Sequence, residues 1–495
     1  MEKKEKIRSK NIGQVFTPQY LVEEMLDYAG YKNTAIIEKH IIDNSCGDGA
    51  FLQVAVKRYC EEALRAGKNS REIKTHLECY IHGIDTDKEA YENCKANLEK
   101  VVNRYKIKNV AWDIHNQDAL AVKTYDGKID YVVGNPPYVR VHNLQETYDE
   151  VKQYRFANGG MTDLYLAFFE LGFNMLNPSG KLCYITPSSW LSSVAARNMR
   201  NHVMEKRNII SLVDLGHYQP FPHVTAYTII SLFSNDKQSD RFDYYTFNSE
   251  TRQRNHVANL SLQDSCIDGI LYLSDKEHLD TLRSIKTSTP PRLVTVKNGF
   301  ATLADNIFIG EDVPESTITI KALKASTGKK YKCLFPYDEK GKPLPPDKIF
   351  SEKQVADYLQ AHKDELLKGR KEHPAWYQFG RTQALQDVYK DKLSINTLLR
   401  TEKDLKIEYV SKGEGIYSGL YAITHDGIPL EDIKQILETP QFADYIKLLK
   451  KYKSGGYYTY NTKDVEQYIN WYISYKSDNK YANKSTFLGQ YFEFV

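Results

Sequence analysis

The chain has 495 residues and a mass of 57.2 kDa, enough for two or three domains, and its 41% hydrophobic and 26% charged residues are typical of a soluble globular protein. No apolar run approaches the roughly 20 residues that a membrane helix needs, and the opening MEKKEKIRSK lacks the apolar core of a secretory signal. A membrane protein is therefore excluded and a cytoplasmic location expected. The net charge of +3 permits nucleic-acid binding without arguing for it.

The seven cysteines are scattered and odd in number, and none forms a C-x-x-C pair. A disulfide framework needs an even set of spaced cysteines, and a structural zinc site needs paired cysteine or histidine ligands. We therefore expect neither disulfides nor a metal site.

The first half of the chain alternates short β-branched or aromatic runs with longer helical patterns, which predicts a parallel sheet with crossover helices. The predicted helices include residues 51–66 and 163–176. The predicted strands are Ile41-Ile42 running into Asp43, 81–84, 110–113, 131–133, 181–186, 209–215 and 226–233. Only the short loop GHYQPFPHVT joins the last two strands, so they are expected to pair antiparallel.

The pattern becomes polar and irregular between residues 235 and 291, where SNDKQSDR and SIKTSTPPR are typical of loops or linkers. We place the domain boundary near Pro290-Pro291, which gives domains of residues 1–290 and 291–495. The second half mixes helix and strand patterns without regular alternation, so a separate α+β domain is expected there.

The stretch IIDNSCGDGAFL, residues 41–52, ends a strand in an acid, continues with glycines and opens a helix. Gly47 and Gly49 would let the backbone approach a small molecule, and Asp43 could accept hydrogen bonds from it. An ordinary strand-to-helix turn is the alternative. The dinucleotide fingerprint G-x-G-x-x-G is absent, which disfavours a nicotinamide or flavin enzyme.

Two further acids follow predicted strands. Asp85, in IHGIDTDKEA, could grip the two hydroxyls of a ribose, and Asp118, in NQDAL, could accept a hydrogen bond from an adenine amino group. Taken singly, a solvated helix cap and a surface acid explain them as well. Three acids at three consecutive strand ends favour a nucleoside-containing ligand.

The stretch GNPPY, residues 134–138, is an unusual end for a strand. An exocyclic amine on an aromatic base is a poor nucleophile, because its lone pair is delocalised into the ring. The Asn135 side-chain oxygen and the Pro136 carbonyl could accept its hydrogens and free that pair. Pro137 stiffens the turn, and Tyr138 offers a ring on which a base could stack. A plain strand terminator is the alternative.

In this order and spacing, DNSCGDGAF, GIDTD, QDAL and GNPPY resemble the S-adenosylmethionine-dependent N6-adenine DNA methyltransferases of type II restriction-modification systems. GQVFTP, residues 13–18, is similar to the family's cofactor-covering segment, and TDLYLAFFELGFNMLNPSGKLCYITPSSWL and PFPHVTAY resemble later segments. The resemblance is close over roughly the first 290 residues, and the motif order is the one called gamma. It implies an α/β fold: a Rossmann-like methyltransferase sheet, mostly parallel with an antiparallel hairpin strand, followed by an α+β target recognition domain.

The resemblance also implies roles for individual residues. The cofactor would be held by Thr17, Pro18, Asp43 at its methionine end, Gly47, Gly49, Asp85 at its ribose, Asp118 at its adenine, and Phe168 packed on that ring. The target base would be treated by Asn135, Pro136, Pro137 and Tyr138, with Phe221 stacking on its other face. Phe221 could instead cap the apolar edge of the sheet. Pro-Ala usually follows the first acid, whereas Asn44-Ser45 follow it here, so the local turn geometry should differ.

The second half contains VKNGFATLADNIFIG and HPAWYQFGRTQAL, which resemble segments of target recognition domains. Lys297, Trp376 and Arg381 are therefore candidates for phosphate or base contacts, although a packed Trp and a solvated Arg explain them equally well. The implied partner is double-stranded DNA, and the sequence leaves open whether a separate cognate restriction endonuclease exists. The sequence leaves the oligomeric state open and is compatible with a monomer.

Other functions fit parts of the pattern. Methyltransferases that act on protein glutamine or on RNA bases use signatures similar to NPPY, but they generally lack the leading GQ-x-x-TP segment and a long recognition domain. A DNA-binding subunit without catalysis would be favoured by a broken motif, which is not seen. A combined endonuclease and methyltransferase usually carries a nuclease domain ahead of GQ-x-x-TP, where only MEKKEKIRSKNI stands. We therefore predict no cleavage activity.

Overall fold

The computed structural model describes residues 16–141, 148–159, 162–221, 224–368 and 375–479. The chain divides into two compact units between Arg283 and Ser284, within a helix that begins at Lys276 and ends at Thr287. Within the described ranges, no helix combines the length and the apolar character needed to cross a membrane.

The N-terminal unit is built on one sheet, to which the described residues contribute nine strands. The strands are β1 (Ile41–Asp43), β2 (Ile81–Asp85), β3 (Asp113–Asn116), β4 (Ile129–Gly134), β5 (Leu176–Pro187), β6 (Ile209–Asp214), β7 (Thr228–Ser234), β8 (Arg241–Asn248) and β9 (Gln253–Ser261). Their order in the sheet is β3-β2-β1-β4-β5-β7-β6-β8-β9.

The first five strands in that order run parallel, and β7 pairs antiparallel with both β5 and β6. The antiparallel pairing predicted for the last two strands of the first half is therefore confirmed. Strands β2 and β3 are added to the sheet on one side of β1, and β4 is then added on the other side of β1. Strand order thus reverses between β1 and β4, and ligands of open α/β sheets bind at the carboxyl ends of such a pair.

Helices cover this sheet. They are α1 (Gln19–Ala29), α2 (Ala50–Arg65), α3 (Ser70–Tyr80), α4 (Lys88–Asn103), α5 (Tyr148–Lys152), α6 (Tyr165–Met175), α7 (Arg197–Lys206), α8 (Leu262–Ser265) and α9 (Lys276–Thr287), and a small hairpin joins β10 (Cys266–Ile267) to β11 (Ile270–Leu271). Buried apolar side chains of α1, α2 and α4 pack with those of the strands in one core. The predicted helices at 51–66 and 163–176 correspond to α2 and α6.

The strand predicted at residues 110–113 is wrong in position, because β3 begins at Asp113. Val110 and Trp112 are buried, which produced the strand-like pattern. However, the Val110 and Ala111 amides donate to the side-chain carboxylates of Glu99 and Glu78 at 3.0 and 2.9 Å. Those amides are therefore not available to a neighbouring strand.

The loop or linker character predicted for SNDKQSDR and SIKTSTPPR does not extend over all of residues 235–291, because β8 and β9 extend the sheet there as an antiparallel hairpin. In β8, Phe242 and Tyr244 are buried and Asp243 between them is half-buried, which is the period-2 alternation of a strand. Strand β9 lies at the sheet edge with most side chains exposed, so its sequence has no apolar face to recognise.

The C-terminal unit is α+β, as expected. Its strands are β12 (Val294–Asn298), β13 (Thr319–Lys324), β14 (Lys329–Leu334), β15 (Lys392–Ile395), β16 (Leu398–Leu399), β17 (Ile407–Val410), β18 (Gly415–Tyr417), β19 (Leu420–Thr424), β20 (Tyr452–Lys453) and β21 (Tyr457–Thr459). Its helices are α10 (Asp305–Phe308), α11 (Pro346–Phe350), α12 (Lys353–Ala361), α13 (Lys363–Leu367), α14 (Leu430–Leu437), α15 (Pro440–Leu448) and α16 (Thr462–Asn479). The strands form small sheets in the orders β12-β19-β15-β17, β14-β13-β18 and β16-β21-β20.

Candidate active site

The carboxyl ends of β1 and β4 meet where strand order reverses. Ile42 pairs with Val132, which brings the strand ends at Asp43 and Gly134 side by side. A β-carbon on Gly134 would lie 2.7 Å from Oδ1 of Asp43, closer than such carbons approach other atoms, and the φ of Gly134 is +154°. Glycine at this position therefore lets the first acid lie against the start of the GNPPY segment.

Asp43 is buried, with 2% of its surface exposed. Its Oδ1 accepts a hydrogen bond from the Ser45 amide at 3.1 Å. Burial raises the pKa of Asp43 from an ordinary 3.8 to about 8, and the amide of Ser45 offsets only part of that effect. A cation bound beside Asp43 would favour its ionised form, so this carboxyl group is suited to a positively charged ligand.

The glycine loop after β1 is tied to the end of β2. The Asp85 carboxylate accepts hydrogen bonds from the amides of Gly47 and Asp87, both at 2.8 Å. Gly49 has a φ of +87°, and a β-carbon there would lie 2.7 Å from the Cys94 sulfur on α4. Close packing of α4 against the loop thus requires glycine at residue 49. Burial raises the pKa of Asp85.

Asp118 and Phe168 lie on adjacent elements. Asp118 follows β3 and accepts a hydrogen bond from the Leu120 amide at 2.9 Å, capping the short helical turn Ala119–Ala121. Helix α6 contacts that turn, and Phe168 on α6 is buried with 6% exposure. The predicted adenine acceptor and the predicted ring therefore belong to contacting elements at the carboxyl ends of the strands.

Asn135 contacts the segment that precedes α1. Its Nδ2 donates to the Thr17 hydroxyl at 3.1 Å, across 118 positions in sequence. Thr17 is buried and Pro18 precedes the first turn of α1. Residues 13–15 of the GQVFTP segment lie outside the described residues. Pro136 is buried, whereas Pro137 is half-buried.

Tyr138 and Phe221 are in contact with each other. Their ring centroids are 6.2 Å apart with planes at 74°, an edge-to-face arrangement. The Tyr138 hydroxyl donates to the Ile185 carbonyl at 3.1 Å. Phe221 is only 3% exposed and packs in the same core as Ile230. Rings that sandwich a base lie parallel to each other, so this edge-to-face arrangement leaves no place for a base between them.

Asn44 has partners that the sequence analysis did not identify. It is 1% exposed, its Oδ1 accepts from the Tyr184 hydroxyl at 2.9 Å, and its Nδ2 lies 3.8 Å from the Met175 sulfur. The departure from Pro-Ala is therefore accommodated by a buried tyrosine on β5. The sequence does indicate that Asn44 needs a hydrogen-bond partner, because a polar side chain between a buried strand and the glycine loop is expected to be buried. The Ser45 hydroxyl next to it is buried without a hydrogen-bond partner among the described residues.

The three candidates in the C-terminal unit differ. Trp376 is 8% exposed and stacks on Phe350, so its ring serves the core of that unit. Lys297 forms an ion pair with Asp387 at 2.7 Å, with about half of the Lys297 side chain exposed. Arg381 is exposed. His373 and Pro374, at the start of the segment HPAWYQFGRTQAL, lie outside the described residues.

Residues 61–221 match the profile of the Eco57I restriction-modification methylase family. The match lies within the N-terminal unit. The matched stretch contains Asp85, Asp118, the GNPPY segment, Phe168 and Phe221. The match to a methylase family supports the predicted cofactor, S-adenosylmethionine.

The chain is similar to the type II methyltransferase M.BstVI of Geobacillus stearothermophilus, with 32% identity over 44% of this chain and 41% of that protein. It is also similar to the type II restriction enzyme and methyltransferase RM.Eco57I of Escherichia coli, with 23% identity over 60% of this chain and 36% of that protein. The chain thus spans less than half the length of either relative.

The fold of this chain is also found in a solved structure. The type IIL restriction-modification enzyme MmeI, solved in complex with DNA, superposes with a TM-score of 0.59 at 14% identity, over 94% of this chain and 68% of that one. The predicted fold class, a mostly parallel methyltransferase-like sheet followed by an α+β region, is confirmed.

Replacing Tyr184 by Phe should destabilise the protein by roughly 1 to 3 kcal/mol, because the buried Asn44 oxygen loses its donor. Thermal or denaturant unfolding measures this cost. Tyr165→Phe is the matched control, since the partner of the Tyr165 hydroxyl, Ser189 at 3.1 Å, is exposed and can bind water instead. An equal loss of unfolding free energy in the two variants would contradict the conclusion that Asn44 depends on the Tyr184 hydroxyl for its hydrogen bond.

Replacing Asp43 by Asn should raise the stability of the cofactor-free protein, and the gain should grow with pH. Because folding raises the pKa of Asp43 from 3.8 to about 8, the wild-type protein loses stability progressively as pH rises between those values. Asn carries no charge and avoids that loss. Melting temperatures from about pH 5 to about pH 9 test this, and a gain that shrinks as pH rises would contradict it.

Proposed function

We propose that the protein is a site-specific DNA methyltransferase that transfers a methyl group from S-adenosylmethionine to the N6 amine of adenine in a short double-stranded sequence. The observation that carries the proposal is the contact between the end of β1, at Asp43, and the start of GNPPY, at Gly134. A site for a charged methyl donor and a site for an aromatic amine adjoin there. The type II methyltransferases among the relatives and the DNA-bound MmeI structure support DNA as the substrate.

The residues assigned to the cofactor lie at or near the carboxyl ends of the strands. S-adenosylmethionine, when bound, supplies an electrophilic methyl group on a cationic sulfur. Asp43 binds the charged methionine end, and its ionised form becomes favoured beside that charge. Asp85 binds the ribose hydroxyls while it keeps the glycine loop in place through the Gly47 amide. Asp118 accepts from the adenine amino group and Phe168 packs on the adenine ring.

The target amine is activated by acceptors of the chain. The Asn135 oxygen and the Pro136 carbonyl accept its two hydrogens, which draws the nitrogen toward tetrahedral geometry and frees its lone pair. Thr17 holds the nitrogen end of the Asn135 amide at 3.1 Å, so the oxygen is the end assigned to the substrate. Pro137 limits movement of the turn between these acceptors and Tyr138. The amine would then take the methyl group as the carbon–sulfur bond breaks, S-adenosylhomocysteine would leave, and the proton released from the amine would pass to water.

The target adenine must leave the duplex before it can reach these acceptors, at an unstacking cost of a few kcal/mol. Tyr138 and Phe221 offset that cost by stacking, which contributes roughly 1 to 3 kcal/mol per base. Their edge-to-face contact has to open, by a movement of the Phe221 loop, before a base can lie between the rings. Pro222, the second proline beside Phe221, lies outside the described residues.

The C-terminal unit is assigned to target recognition. Lys297 and Arg381 are its candidates for contacts to phosphates or guanine edges, because both carry exposed cationic surface. Domains of residues 1–290 for catalysis and 291–495 for recognition belong to this proposal, as do a cytoplasmic location and a separate restriction endonuclease as partner.

Asp85→Ala should weaken binding of S-adenosylmethionine by roughly 1 to 3 kcal/mol, because a charged hydrogen-bond acceptor at the ribose is lost. Isothermal titration calorimetry measures the affinity. Asp130→Ala is the control, since Asp130 lies at the opposite end of the strands and pairs with Lys39. Unchanged affinity in Asp85→Ala, or an equal loss in Asp130→Ala, would refute the ribose assignment.

Asn135→Ala should abolish methylation while S-adenosylmethionine still binds. DNA from a methyltransferase-deficient bacterial host that expresses this chain is sequenced with detection of modified bases. The wild type should give one modified adenine motif, and Asn135→Ala none. Asn198→Ala, which removes a surface amide bonded to the Arg155 carbonyl at 2.8 Å, should retain the motif. Methylation by Asn135→Ala at the wild-type level would refute the mechanism.

A further inference from the structure

The first turn of α1 and the loop between β6 and β7 touch through two tyrosine hydroxyls. Tyr20 lies two residues beyond Pro18, and its hydroxyl is hydrogen-bonded to that of Tyr218. Tyr218 lies three residues before Phe221 on the loop. Both tyrosines are half-buried, so their bond is partly shielded from water.

The hairpin β8–β9 restrains both tyrosines. The Phe247 ring stacks on Tyr218, with centroids 5.5 Å apart and planes at 24°. The Arg252 guanidinium lies 4.6 Å from the centroid of the Tyr20 ring, within the range of a cation–π interaction. Neither Phe247 nor Arg252 belongs to a motif of the candidate active site. The hairpin therefore stabilises the tyrosine contact from outside those motifs.

The tyrosine pair closes a cycle around the candidate active site. In this cycle, side-chain contacts alternate with short stretches of backbone. Movement at one contact is therefore restricted by the neighbouring contacts. In order, its members are Thr17, Tyr20, Tyr218, Phe221, Tyr138 and Asn135. The cofactor-covering segment and the target-base loop, residues 215–221, are therefore joined on both sides of the site.

We propose that the Tyr20–Tyr218 pair couples cofactor binding to the position of the target-base loop. This inference rests on the proposed function, in which Thr17 and Pro18 contact the cofactor and Phe221 contacts the base. A cofactor that orders residues 16–20 then orders residues 215–221 through the tyrosine pair. By linkage, capture of the base strengthens cofactor binding by the same factor. Tyr20 and Tyr218 are positioning residues, since the proposed function assigns neither of them a contact with the cofactor or the base.

Hydrogen exchange measured by mass spectrometry on the full chain, without DNA, tests the coupling. S-adenosylhomocysteine is the probe, because it occupies the cofactor site without a methyl group to transfer. The amides of Gly216 and Tyr218 report on the loop, as they donate to Asp214 and to the Leu215 carbonyl at 2.8 and 3.0 Å. In the wild type, the probe should slow exchange both in residues 16–29 and in residues 215–221.

In Tyr20→Phe and in Tyr218→Phe, the probe should still protect residues 16–29 but should protect residues 215–221 roughly fivefold less, the factor that one ordinary hydrogen bond supplies. The double variant should match each single one, because both remove the same bond. Tyr59→Phe is the control, since its hydroxyl bonds His76 at 2.9 Å elsewhere in the same unit. It should keep both protections.

A kinetic readout separates positioning from general stability. In both tyrosine variants, kcat for methyl transfer to unmethylated genomic DNA should fall severalfold while the calorimetric affinity for S-adenosylhomocysteine changes little. Equal protection of residues 215–221 in the wild type and the variants, or no protection in the wild type, would overturn the coupling. Failure of the wild type to bind the probe would overturn the proposed function itself, and with it this inference; calorimetry distinguishes that result.

Discussion

The reversal of strand order between β1 and β4 is the constraint on which the rest of the candidate site depends. A parallel sheet opens a crevice at its carboxyl edge only where neighbouring connections leave in opposite directions, and here that occurs between Asp43 and Gly134. The absence of a side chain at Gly134 brings the buried acid against the GNPPY segment. Methyl transfer requires donor and acceptor to be adjacent, and under the proposed function this pair of strand ends would provide that adjacency.

The site keeps polar groups buried at a cost in stability. Asp43 is almost fully buried with a raised pKa, and the Ser45 hydroxyl has no partner among the described residues. Buried polar groups that lack full compensation lower the stability of the fold. Asn44 differs from them, because Tyr184 already satisfies it. Under the proposed function Asp43 serves ligand binding, whereas Asn44 stabilises the turn.

The sequence predicted those candidate site residues that lie in a short, continuous strand-to-helix segment. Asp43 with Gly47 and Gly49, and Asp85, are recognisable because an acid follows a β-branched run in each segment. The contact between Asn135 and Thr17 spans 118 positions and could be expected only through the resemblance to a family. The Tyr20–Tyr218 and Asn44–Tyr184 pairs span 198 and 140 positions, and no local pattern encodes them. Strand β9 was missed because an exposed edge strand needs no apolar face.

Under the proposed function, the chain methylates the exocyclic amine of adenine in DNA. To test this directly, the purified chain is incubated with unmethylated duplex DNA and S-adenosylmethionine carrying an isotopically labelled methyl group, the DNA is digested to nucleosides, and the labelled product is identified by mass spectrometry. We predict label in N6-methyldeoxyadenosine that disappears in Asn135→Ala. Label in a methylated cytosine, or label that enters RNA or protein glutamine but not DNA, would contradict it.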